Sequence, residues 1–93
     1  MSSHTPAYEV PFWIDRHDAP HLYRLVNLSD EMVRGVRCSL LGPGYLVPLR
    51  PTDLGPGVGV TLTLIGSDLS RSSVVVVRWF RENDDEYLWR FSF

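Results

Sequence analysis

Lysine is absent from this chain, and arginine supplies all nine of its basic residues. Without lysine there is no Walker-type phosphate loop, no Schiff-base or pyridoxal-phosphate chemistry and no lysine general base. Cysteine is nearly absent as well: Cys38 stands alone, which excludes an internal disulfide framework. No apolar run approaches the ~18–20 residues of a membrane helix. The longest, Val74 to Val77, stops at Arg78. Alanine, the best helix former, occurs twice, against eleven valines and eleven aromatics. A net charge of −2 and a pI near 5.8 withhold the global attraction expected of a dedicated nucleic-acid binder. The start, Met1-Ser2-Ser3-His4-Thr5-Pro6, has neither the basic region nor the apolar stretch of a secretory signal. The expected setting is therefore cytoplasmic, with no membrane and no nucleic acid as partner.

What is present fits one small β domain. The 44% hydrophobic residues of a 93-residue chain fill a single core, expected over residues 8–93 behind a flexible N-terminal arm at 1–7. Strand-type segments fall at 8–14, 21–28, 32–41, 45–49, 58–65, 73–81 and 87–93. Pro11 marks the first as an edge or irregular strand, and Pro48 and Pro51 close the fourth, because proline cannot donate to a ladder. Gly42-Pro43-Gly44, the turn at 53–57 and the polar loop at 66–72 separate the segments. Seven short strands at this spacing, with no substantial helix, predict an all-β sandwich or barrel.

Alternation assigns faces. Val36, Cys38 and Leu40 share one side of their strand, with Arg37 and Ser39 on the other; Val58, Val60, Leu62 and Leu64 oppose Gly59, Thr61 and Thr63. Tyr87, Trp89, Phe91 and Phe93 line one face of the last strand. Its hairpin partner, 73–81, is apolar on both faces, and the parity of the loop at 82–86 decides which face turns inward. An odd loop is favoured, since it puts Val75, Val77 and Trp79 with the aromatics and sends both Arg78 and Arg90 outward, beside Val74, Val76 and Phe80. A strand apolar on both sides usually has both covered. With no helix to supply, the expected second cover is another protein or a second copy of this chain, as a homodimer.

Tyr23-Arg24-Leu25-Val26-Asn27, the turn Ser29-Asp30-Glu31, the strand around Val36 and Cys38, and Leu54-Gly55-Pro56-Gly57 before Val58-Gly59-Val60-Thr61-Leu62 form a sequence of pieces. Over residues 22–65 it resembles bacterial immunoglobulin-like sandwich domains of the CARDB and fibronectin-III-like kind. The closing hairpin, with a tryptophan in each strand, departs from the acidic ending common in CARDB domains. It is closer to small stand-alone actinobacterial versions, and the valine-rich, lysine-free composition suits a high-G+C genome. The resemblance implies an immunoglobulin-like antiparallel β-sandwich of about seven strands and roles in adhesion, spacing or subunit contact; it informs fold more than function.

Candidate chemistry is sparse. Asp15, His17, Asp18 and His21 are the only metal-like cluster, but Pro20 opposes the helix that would align His17 with His21, so a polar turn is the stronger reading. Glu82, Asp84, Asp85 and Glu86 read as a solvated hairpin tip rather than a calcium loop. Cys38 reads as a small core hydrophobe, no nucleophile elbow occurs, and no cofactor or catalytic role is expected. The expected function is a non-enzymatic protein-interaction or structural module. Its interface candidates are Arg78, Phe80 and Arg90 on a sheet face, and Tyr45 and Val47 on a proline-bounded edge strand. The alternative is a carbohydrate-binding module that uses Trp13, Trp79 and Trp89 as a stacking platform.

Overall fold

The alternating segments fold as strands, and the glycine–proline segments as the turns between them. The computed structural model describes residues 8–93. In chain order the strands are β1 (Phe12–Asp15), β2 (Leu22–Asn27), β3 (Val33–Leu41), β4 (Tyr45–Leu46), β5 (Thr52–Leu54), β6 (Gly59–Ile65), β7 (Val74–Phe80) and β8 (Glu86–Ser92), with one helical turn, α1 (Leu69–Ser72), before β7. They form two antiparallel four-stranded sheets, β1-β2-β6-β4 and β5-β3-β7-β8, in a β-sandwich. The arm expected at residues 1–7 lies outside the described residues.

Several boundaries move, each for a local reason. Residues 8–11 stay outside β1, which starts after Pro11. Asp53 and Leu54, expected in the turn at 53–57, join Thr52 in β5, which pairs with the start of β3, Val33 opposite Leu54 and Val36 opposite Thr52. β4 is shorter than expected and pairs with the end of β6. Read together, β4 and β5 are one extended passage that leaves one sheet and joins the other. Pro48 and Pro51 occupy the crossing, where a missing N–H costs no ladder bond. The strands number eight, four in each sheet, against the seven expected, because the passage between the sheets pairs at both of its ends. The loop at 66–72 contains α1, whose Leu69 is buried.

Val36, Leu62, Leu64, Val75, Val77 and Trp79 of the alternating faces lie in the core, whereas Val58 is 48% exposed and Val33, of opposite parity to Val36, turns inward across a bulge in β3. Leu25, Val33, Leu62, Leu64, Val75 and Val77 are fully buried, and Trp79 is 1% exposed. The hairpin turns through Glu82-Asn83-Asp84, with Asp84 at φ 65 and the Arg81 N–H donating to the Asp85 carbonyl at 3.2 Å. That is a three-residue loop ending in a left-handed residue. It sets Val75 opposite Phe91, Val77 opposite Trp89 and Trp79 opposite Tyr87. The parity is the odd one, so Arg78 and Arg90 share the outer face. β3 carries a bulge between Arg34 and Arg37, where Gly35 adopts φ 59. A Cβ at Gly35 would stand 3.2 Å from the Phe80 ring, so glycine serves both the backbone and the packing there.

Candidate protein-interaction surface

The outer face of β3-β7-β8 is built of cross-strand rows. Arg34, Phe80 and Glu86 form one; Arg37, Arg78 and Leu88 the next; Ser39, Val76 and Arg90 the third; Leu41, Val74 and Ser92 the last. Arginine therefore comes from all three strands. Arg34 pairs with Asp84 and Arg37 with Glu86, and the Arg37 guanidinium lies 5.7 Å from the Phe80 ring centroid. Arg78 and Arg90 are exposed and make no ion pair with any described residue. Arg37 directly opposite Arg78 is a like-charge placement that costs stability unless an anion answers it. Glu86 answers Arg37 only. Between the arginines, Leu88 is 53% exposed, whereas Val76 is buried. Phe80 is half-buried over Gly35 and beneath Arg37, so it supports the face more than it presents itself.

Tyr45 and Val47 lie at the edge of the other sheet. Tyr45 stands opposite Ile65, both more than half exposed, and the Val47 N–H donates to the Thr63 carbonyl at 3.0 Å. Between this edge and β3 runs a groove of about 330 Å³, lined by Cys38, Leu40, Gly44, Tyr45, Leu46 and Pro48. Burial pushes the Cys38 thiol up to about 12, which keeps it protonated and poorly nucleophilic at neutral pH.

The three tryptophans are not brought to one surface. Trp79 is in the core, edge-on to Phe12; Trp89 is half-buried and stacks on Phe12 at 6.4 Å; Trp13, 51% exposed, points to the opposite side of β1 from Phe12. In the turn after β1, the Asp15 carboxylate accepts from the His17 N–H and His17 Nδ1 lies 3.2 Å from Asp18, but His21 Nδ1 faces the Leu64 carbonyl instead. Among the described residues no three His, Cys, Asp or Glu side chains are grouped to hold a metal.

Two polar clusters were not anticipated. Asn27, fully buried, donates through Nδ2 to the Glu31 and Leu54 carbonyls, both at 2.9 Å, and accepts from the Ser29 N–H and hydroxyl. It thereby ties the end of β2 to β5 in the facing sheet. Arg81 donates to both carboxylate oxygens of Glu31 at 2.9 and 3.1 Å, and its guanidinium lies 3.8 Å from the Tyr8 ring centroid. The Tyr8 hydroxyl in turn accepts from Trp79 Nε1 at 3.2 Å. The strand-end asparagine and the Ser29-Asp30-Glu31 turn were visible as a pattern, but their partners lie far along the chain.

In comparisons with family models, curated proteins and solved structures, no match is found.

Proposed function

We propose that the chain is a non-enzymatic protein-interaction module that works through the arginine-bearing side of β3-β7-β8. One observation carries the reading: Arg78 and Arg90, exposed and without an acidic partner among the described residues, flank the exposed Leu88. Arginine is among the residues enriched at interface centres, and a partner's carboxylates would relieve the Arg37–Arg78 placement. The test is capture of a partner from native lysate by the wild type and by an Arg78→Glu/Arg90→Glu variant. Phe80 is left intact because it packs on Gly35. A specific partner lost by the variant, at unchanged melting temperature, supports the module. Equal capture by both proteins, or no partner and a strictly monomeric light-scattering profile, refutes it.

A further inference from the structure

The edge of β3 is only half covered. Antiparallel ladders alternate bonded and non-bonded pairs, so the Arg81–Asp85 closing bond places the bonded rungs of β7 with β8 at Val75, Val77 and Trp79. The alternate residues of β7 bond β3, at Arg37, Ser39 and Leu41. Cys38 and Leu40 therefore point their N–H and C=O groups away from β7. On that side β5 reaches only from Val33 to Val36 and then ends. No backbone hydrogen bond from any described residue reaches Cys38 or Leu40 there. The next strand along the chain, β4, pairs with β6 in the other sheet instead.

Resting on the interaction-module reading, we propose that this free edge accepts an extended acidic segment of a partner protein as an added strand, continuing the line of β5. Main-chain bonds to Cys38 and Leu40 supply the template, and such additions draw specificity from pockets for alternate side chains. Both faces beside this edge offer such pockets. Side chains of the added strand that turn inward enter the groove bounded by Leu40, Leu46 and Pro48, which suits small apolar residues. Those that turn outward lie beside Arg37 and Ser39, with Arg78 one strand further on. Carboxylates there answer the like-charged row. The partner's chemistry is thus an alternation of apolar and acidic residues in extended form. The edge of β8 is the competing template, but the Ser92 carbonyl there already accepts from Arg16, and Phe12 and Tyr8 pack against the inner side chains of that strand.

The experiment titrates the full chain with a synthetic peptide of alternating valine and glutamate. The controls are a valine–lysine peptide and a valine–glutamate peptide N-methylated at alternate residues. Binding is read by fluorescence anisotropy, and amide exchange by NMR. The expected result is slowed exchange at Cys38 and Leu40, at least tenfold weaker binding of the lysine peptide, and loss of binding on N-methylation. Arg37→Glu, an exposed position, should shift the preference toward the lysine peptide. Protection at Leu88 and Arg90 instead, protection that rises with protein concentration alone, or unchanged Cys38 and Leu40 amides would each overturn the proposal. If the Arg78→Glu/Arg90→Glu variant loses a captured partner while those two amides stay unprotected in the complex, the edge assignment fails and the interaction module stands.

Discussion

The two long sides of this sandwich are finished differently. Where β1 meets β8, Phe12 stacks on Trp89 and meets Trp79 edge-on, Arg16 holds the Ser92 carbonyl, and Tyr8 lies between Arg81 and Tyr87. Where β4 passes β3, the chain crosses between sheets on two prolines, and Cys38 and Leu40 are left half-buried beside a groove. One side is sealed by aromatic rings and charge-assisted bonds. The other leaves the N–H and C=O groups of Cys38 and Leu40 without a backbone partner among the described residues on the side away from β7. A small domain has little core to spare, so concentrating its large side chains on one side leaves the opposite side thin, and a thin side with free backbone is where a partner strand can enter.

The most severe way to break that contrast is to empty the sealed side. Trp79→Ala removes the largest fully buried side chain and the donor to Tyr8. It should cost about 3–5 kcal/mol, whereas Leu40→Ala on the open side should cost roughly 1–2 kcal/mol because Leu40 is only partly buried. Urea unfolding of the two variants measures the difference; equal losses would mean that the sides are equally packed.

A second substitution tests the tie between sheets rather than their filling. Asn27→Ala leaves the buried Leu54 carbonyl without its donor and should cost about 2–3 kcal/mol. Asn27→Asp keeps the shape but turns a carboxylate oxygen toward the two carbonyls that Nδ2 now serves. If the hydrogen bonds matter more than the volume, the aspartate variant is at least as unstable as the alanine variant at pH 7. Thermal melts of both variants decide it.

How much of this was legible depended on how local its cause was. The period-two alternation of Val36, Cys38 and Leu40 and the parity of the hairpin at 82–86 are short-range, and both gave the inward set that the registers show. β5 was missed because three residues between Pro51 and Gly55 are too few to display a period. The bulge at Gly35 leaves no more trace than one glycine inside a strand pattern. The candidate surface divides in the same way. The outward direction of Arg78 and Arg90 follows from parity, whereas the half-buried state of Phe80 depends on Gly35 across the sheet. The free edge at Cys38 and Leu40 arises because β4 pairs with the other sheet, and no strand carries a mark of where its neighbour will go. Arg81 and Glu31, 50 residues apart, announce nothing to each other in one dimension.

That ion pair supplies the smallest and most discriminating test of the sealed side. Arg81 hydrogen-bonds the Glu31 carboxylate and so holds it below its ordinary value of 4.5, against the opposite effect of burial. A carboxyl whose folded value is depressed stabilises the fold above its unfolded value and loses that contribution as pH falls through the folded one. Glu31→Gln should therefore be less stable than wild type by about 1 kcal/mol at pH 7, in line with a partly exposed charged hydrogen bond. The gap should begin to close near pH 4.5 and vanish in more acid solution, where Glu31 is protonated in both states. Paired urea titrations from pH 7 to pH 2 measure it. A gap that persists unchanged in acid would show that Glu31 acts on the Arg81–Tyr8 contact through its shape rather than its charge, and the seal at Tyr8 would then be a matter of packing alone.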